Sequence, residues 1–355
     1  MTIKYYKYKN ASDYGIKSKV AKKPKKPKNL IINKFTLIKA SITVGVTLKE
    51  YKDFQKEVLE WKVSNILTFI DSNNLFTIKH VSSLEQSEKN VVGYFIGMVF
   101  AQIHMQQKYN IRYLLHLKRD DIEVINAPGK SNSPDFWGLN HKSGESYLVE
   151  AKGSTVCNSK LATKPIKDAL CQLKSVNQIN YTYQGIVTSY SKMNSNLKKL
   201  IVATHPDRDK KIIQHIIDPE ESASTTFNVN GDKIIFDYYN CLFDLIYNES
   251  FFVKKIKKIK FNVVYLAAFD CLVGLEDNIY EVILRYKDEV FRVLAEEDIY
   301  EIFTAEINNT LDNLEGRIID IQNSNKFSVG IDGVIVLEND QNEIQEIRNI
   351  NQKSI

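Results

Sequence analysis

The stretch SPDFWGLNHKSGESYLVEAKGS, residues 133–154, sets one carboxylate, Asp135, before a turn, and a second carboxylate and an ammonium, Glu150 and Lys152, after it. HKSGE (141–145) has a glycine and polar residues between two β-like runs, which predicts a hairpin loop. With the turn centred near residues 142–143, antiparallel partners have numbers that sum to about 285, so Asp135 falls opposite Glu150. Directly opposed residues hold their Cβ atoms about 4.5–5.5 Å apart. Glu150 and Lys152 share a face because strand side chains alternate, and Ala151 points the other way. Two carboxylates and an ammonium at one point make either a metal site or an ion-pair cluster. Crowded carboxylates repel, and without a cation one of them has to take a proton. Mg²⁺, with Mn²⁺ as a substitute, suits the pair because it is a hard cation that takes carboxylate oxygen, keeps several waters and engages phosphate. A lysine beside a metal-activated water and a phosphate would orient the nucleophile or offset developing negative charge.

This arrangement resembles the PD-(D/E)xK nuclease superfamily, which has the restriction-endonuclease-like fold. The matched residues are Pro134–Asp135, then fourteen residues, then Glu150–Ala151–Lys152. The likeness spans residues from roughly 80 to 205: a leading helix, a strand hairpin carrying the motif, a helix and a further strand. It implies divalent-metal-dependent phosphodiester cleavage, with Asp135 and Glu150 as ligands and Lys152 as the catalytic cation. The resemblance further implies a carbonyl ligand at Ala151 and, from the leading helix, a third carboxylate at Glu88. Some exonuclease branches carry a glutamine on the helix after the motif, which here is Gln172.

Other residues could also carry chemistry. In the helix predicted from Thr163, Lys164, Lys167, Lys174 and Gln178 fall within about 80° on a helical wheel. Ile166, Ala169, Leu170, Leu173 and Val176 take the opposite side, so the lysines would face either nucleic acid or water. His116 sits in an apolar run and reads as a core residue, and His141 as a loop residue. NAPGKSNS (126–133) lacks the first glycine of a phosphate-binding loop, because residue 124 is valine. VKKIKKIKF (253–261) is a second lysine cluster, either a solvated face or a phosphate contact.

The elements that have to position the motif follow from periodicity. TLKEYKDFQKEVLEWKVSNILTFIDSN reads as an amphipathic helix, and SSLEQSEKNVVGYFIGMVFAQIHMQQKYN as a second helix with a capping box from Ser82 and Glu85. Gly93 and Gly97 would let another element approach that helix closely. IRYLLHLKR, DIEVINA, PDFWGLN, SYLVEAKG, QGIVTSY and KKLIVATH read as strands, and ATKPIKDALCQLKSVNQI as a helix. VKKIKKIKFNVVYLAAFDCL and EEDIYEIFTAEINNTLDNLEG read as helices, and FSVGIDGVIVLEN as a closing strand.

A hydrophobic content of 43% and a charged content of 26% are those of a globular protein. No apolar run is long enough to span a bilayer, the first residues do not read as a signal peptide, and four scattered cysteines without zinc spacing fit a reducing cytoplasm. Residues 1–39 hold 12 lysines and one acid, a net +11 that leaves −6 on the rest of a chain of +5. AKKPKKPKN (21–29) should be extended, and its Lys22, Lys23, Lys25 and Lys26 suit a polyanion. The expectation is an α/β protein with a restriction-endonuclease-like core, a mixed central sheet flanked by helices, and a mainly helical C-terminal region. Its parts are a basic flexible arm over 1–40, a nuclease domain over 41–250 and an accessory region over 251–355. The expected function is a Mg²⁺-dependent nuclease acting on DNA ahead of RNA, in restriction or antiphage defence. The alternative is a non-catalytic nucleic-acid-binding or regulatory subunit of a larger complex. No membrane partner is expected, and assembly with further copies or with a separate partner protein stays open.

Overall fold

The computed structural model describes the chain except residues 16–25, 46–54, 73–74, 120–121, 126–132, 220–224, 250, 291–295, 320, 322–323, 340–345 and 349–355. It is a mixed α/β protein. The chain opens with β1 (Thr2–Tyr8), α1 (Ala11–Tyr14), β2 (Lys28–Ile31) and α2 (Lys34–Thr43). Then come α3 (Gln55–Leu67), the short strands β3 (Ile70–Asp71) and β4 (Thr77–Ile78), and the long helix α4 (Gln86–Tyr109). β5 (Leu115–His116), β6 (Glu123–Ile125), β7 (Phe136–Leu139) and β8 (Ser146–Gly153) precede α5 (Thr163–Ser175). β9 (Val176–Tyr183), β10 (Ile186–Ser191), β11 (Leu197–Pro206), β12 (Ile212–Ile217) and β13 (Thr225–Asn230) follow. The remainder is α6 (Gly231–Tyr247), β14 (Phe251–Ile256), β15 (Ile259–Leu266), β16 (Cys271–Glu276), α7 (Asp277–Val290), α8 (Glu296–Ile319), β17 (Phe327–Val329), β18 (Val334–Glu338) and β19 (Glu346–Arg348).

Two compact units result. The first comprises Met1–Gly45, Trp61–Tyr181 and Val187–Val229, and the second Val46–Glu60, Thr182–Ile186 and Asn230–Ile355. The first unit is built on a seven-stranded mixed sheet, β2-β1-β12-β11-β8-β7-β5. β8 runs parallel to β11 and antiparallel to β7. Helices cover β8 on both faces, which is why SYLVEAKG is buried almost end to end without alternation. Val149 and Ala151 join the apolar cluster formed with Val92, Ile96, Val99 and Phe100 of α4. α5 turns Ile166, Ala169, Leu170 and Leu173 inward, as the wheel predicted. It ends at Ser175, because Lys199 of β11 donates to the carbonyls of Leu173 (2.7 Å) and Val176 and so closes its C-terminal turn. Gln178 therefore lies on β9 and not on the lysine face of α5. β6 and β9 belong to a separate four-stranded sheet, β10-β9-β13-β6.

Three expectations give way. Among the described residues of the arm over 1–40, two segments belong to the fold: β1 pairs with β12 and β2, burying Ile3 and Tyr5 in the main core, and α2 is almost wholly buried. Lysines dominate the count there, but they alternate with apolar residues that supply a strand face. Tyr8 and two histidines on neighbouring strands lock β1 in place. The Pro206 carbonyl can only accept, so His205 Nδ1 donates to it at 2.9 Å. His205 Nε2 then accepts from His215 Nε2 at 3.1 Å, and His215 Nδ1 accepts from the Tyr8 hydroxyl at 3.0 Å.

The second correction concerns the C-terminal region, which carries a six-stranded antiparallel sheet, β17-β18-β16-β15-β14-β19, with α6, α7 and α8. The run VKKIKKIKFNVVYL is the β14–β15 hairpin and not a helix. Its Ile256 and Ile259 are cross-strand partners around a two-residue turn, and that spacing of three imitates a helical face. Third, only Leu115–His116 of IRYLLHLKR enters the sheet. Cys241 and Cys271 are buried as expected of small hydrophobes, whereas Cys157 and Cys171 are exposed. Among the described residues no helix is long and apolar enough to cross a membrane.

Candidate active site

β7 and β8 pair as Phe136↔Val149, Trp137↔Leu148 and Gly138↔Tyr147, and one further step of that register sets Asp135 across from Glu150. The turn is held by the Asn140 side chain, which accepts from the backbone N–H groups of Lys142 (3.0 Å) and Ser143 (3.1 Å). Gly144 takes the left-handed φ of 69° that closes it.

Every carboxylate oxygen of the pair has a donor. Asp135 Oδ2 accepts from the N–H of Ala151 at 3.0 Å, and Glu150 Oε2 from the N–H of Asp135 at 3.0 Å. Lys118 Nζ stands 2.7 Å from Asp135 Oδ1, and Lys152 Nζ 2.5 Å from Glu150 Oε1. Gln172 of α5 accepts from Lys152 at 3.0 Å and donates to the Ser133 carbonyl at 3.3 Å, so it ties the two arms of the hairpin together. Glu150 is fully buried and Asp135 is 5% exposed. Burial, and after it the Asp135 charge, push the Glu150 carboxyl well above the usual range, against the pull of Lys152 and Lys118. Burial alone would lower Lys118, but the charge and hydrogen bond of Asp135 outweigh it and raise the ammonium. Burial holds His116 down to about 4, and its Nδ1 accepts from the N–H of Lys118 at 3.0 Å.

A cavity of about 360 Å³ opens on these groups, within the size range of small-ligand pockets. Lys89, Asn90 and Tyr94 of α4, Lys118, Asp135, and Ala151 to Val156 line it. Burial and then the Asp135 charge raise the Tyr94 phenol. α4 comes this close because glycine stands on both sides of the contact. A Cβ on Gly97 would lie 2.7 Å from Gly153 N, and one on Gly153 would lie 1.8 Å from Gly93 O. The approach anticipated from Gly93 and Gly97 is thus to β8, immediately after Lys152.

Glu88 is not brought to the pair. Its carboxylate accepts from the N–H of Glu85 at 2.8 Å in the first turn of α4, so the capping box is Glu85–Glu88 and not Ser82–Glu85. Lys164 and Lys167 are exposed on α5 and Lys174 is half-buried, but none of the three lines the cavity. Lys26 is exposed ahead of β2, and Lys22, Lys23 and Lys25 lie outside the described residues, as does most of NAPGKSNS. The cations at the cavity are Lys152 and two that the motif did not announce, Lys89 and Lys118. Lys118 arrives through a second register: Leu115↔Trp137 and His116↔Phe136 continue to a hydrogen bond from Leu117 N to Asp135 O at 2.9 Å.

Among the described residues, no three His, Cys, Asp or Glu side chains gather into a cation cage. A divalent ion here would rest on Asp135 and Glu150, with backbone carbonyl, water and substrate phosphate completing its shell. Those are hard oxygen donors, the set that suits Mg²⁺ and Mn²⁺ and not a thiolate- or imidazole-seeking metal. Comparison with protein-family models, with curated proteins and with solved structures yields no match.

Proposed function

We propose that the chain is a Mg²⁺- or Mn²⁺-dependent nuclease of the PD-(D/E)xK type that hydrolyses phosphodiester bonds, DNA ahead of RNA. The observation that carries the reading is the opposition of Asp135 and Glu150 across one hairpin, with the Lys152 ammonium at the same end beside a cation-lined cavity. The sandwiching of β8 and β11 between α4 and α5 supports a restriction-endonuclease-like core. When bound, the metal would supply charge neutralisation and an acidified water. Asp135 and Glu150 would hold it, and the carbonyl of Ala151 is the backbone group expected to join them. Gln172 gives Lys152 a second partner, so the ammonium stays beside the scissile phosphate when Glu150 turns to the ion. There it orients the attacking water and offsets charge as the phosphate becomes five-coordinate. Lys118 and Lys89 would meet the substrate's neighbouring phosphates. A cytoplasmic role in restriction or antiphage defence follows from fold analogy.

The test is incubation of the full chain with plasmid, linear and single-stranded DNA and with RNA, in Mg²⁺, Mn²⁺ or EDTA. Cleavage should need the divalent ion. Glu150→Gln should lose both cleavage and the heat of metal binding. Lys152→Ala should bind metal normally and fail at the chemical step. Full activity in Lys152→Ala, together with undisturbed metal binding in Glu150→Gln, would reduce the cluster to a structural ion-pair network.

A further inference from the structure

The lysine run that a helix would spread around its axis is gathered by the fold at the tip of the β14–β15 hairpin, in the second unit. Lys255 is the direct cross-strand partner of Lys260, and Lys257 and Lys258 form the turn between them. All four are exposed, whereas Lys254 lies on the other strand face and is buried. Arg317 of α8, also exposed, donates to the Lys258 carbonyl at 2.9 Å and adds a fifth cation. Among the described residues no carboxylate pairs with Lys255, Lys258 or Lys260. Asp277, next in sequence to the Glu276 that opposes Phe261, is engaged by the Asn262 amide at 2.8 Å.

Two local rules are broken at this one tip. Like charges directly opposed across a strand pair are destabilising. Lys257 holds a left-handed φ of 54°, in a hairpin position that glycine or asparagine fills with less strain. Both departures concentrate positive charge at one point, and a partner with regularly spaced negative charge would offset both. We propose that this hairpin tip binds the phosphate backbone of a nucleic acid. A lipid surface fits worse, because membrane-seated tips present apolar side chains and here Ile259 is buried and Ile256 half-buried. Within residues 255–260 the exposed side chains are all lysines, which read phosphate and not base, so the contact is independent of sequence. It also needs no metal, and stands apart from the chemistry proposed for the first unit.

The experiment is binding of a short DNA duplex to the full chain in EDTA, over a series of salt concentrations. Replacing Lys255, Lys258 and Lys260 together with glutamine should weaken binding and flatten the slope of log affinity against log salt by about 2 to 3. The unfolding temperature should hold or rise, since an opposed like-charge pair is removed. Lys258→Gln alone should remove about one unit of slope, and the triple arginine variant should keep the wild-type slope. An unchanged slope in the glutamine variant overturns the proposal, as does equal loss in the arginine variant, which would trace the effect to hairpin shape. Phosphatidylserine vesicles whose binding vanishes in the glutamine variant while DNA binding persists would overturn it in favour of a membrane. A wild-type protein that never cleaves, yet loses salt dependence with the hairpin lysines, would sink the nuclease reading and leave the hairpin assigned.

Discussion

Glu150 is held where burial and a neighbouring negative charge both favour its proton. A carboxyl whose folded pKa is raised contributes stability below its unfolded pKa and loses it as pH rises through the folded value. In EDTA, the Glu150→Gln variant should therefore gain on wild type as pH climbs from 5 to 8, by at most about 1.4 kcal/mol per pH unit. Thermal unfolding at matched pH values checks this, and a gap that stays constant would mean Glu150 titrates normally. Added Mn²⁺ should reverse the order by stabilising wild type alone. The pairing of Asp135 with Glu150 was legible because a hairpin turn fixes a sum of residue numbers and arithmetic does the rest. Lys118 was not, because it reaches Asp135 through a strand of two residues, too short to declare itself in any pattern.

At the scale of the element, the contact between α4 and β8 decides where Lys152 stands. Gly97→Ala puts a methyl carbon 2.7 Å from backbone that cannot give way, so the helix has to lift off the strand. The expected loss is about 1–3 kcal/mol of stability, as for other overpacked sites, with a larger proportional loss of cleavage as Lys152 moves. Gly316→Ala is the control: it lies in α8 with open space around its Cβ and should be neutral or stabilising. Equal effects from the two substitutions, by denaturant titration and rate, would remove any special role for the contact. Both glycines of α4 could be read as points of close approach, but their partner could not, since Gly153 lies 56 residues beyond Gly97 and only the folded sheet brings it back. α5 follows its apolar period closely, while β8 and β11 declare themselves as continuous apolar runs. The β14–β15 hairpin does neither, because a two-residue turn between isoleucines imitates one turn of helix.

Across the whole molecule, buried histidines set the acid limit. Burial lowers His104 and His215 to about 3 and His116 to about 4, and His205 moves the same way. A proton added to His205 Nε2 would set two N–H bonds against each other, and one added to His215 Nδ1 would force the Tyr8 hydroxyl to turn from donor to acceptor. Histidines with lowered folded values contribute stability that is present above about 6.5 and lost as pH falls below it. Each can release about 1.4 kcal/mol per pH unit, so His104, His116 and His215 together outweigh the opposite trend of Glu150. The unfolding temperature should fall steeply between pH 6 and 5, and His104→Gln should soften that fall. A flat profile from pH 7 to 5 would show the rings protonated in the fold. At this scale the mixed α/β class was readable from element order, whereas the building-in of β1 and α2 was hidden by the lysine count around them. That building-in also governs timing. Tyr8 and His215, bonded to each other, are 207 residues apart. A ribosome adding about 5–20 residues per second keeps β1 waiting roughly 10–40 s for its parallel neighbour. The motif hairpin emerges within that interval, with β11 and β12 still unmade. Translation that stops early therefore yields chains that carry the motif's letters without the sheet that aligns them, and only a nearly finished first unit can bring the motif's side chains together.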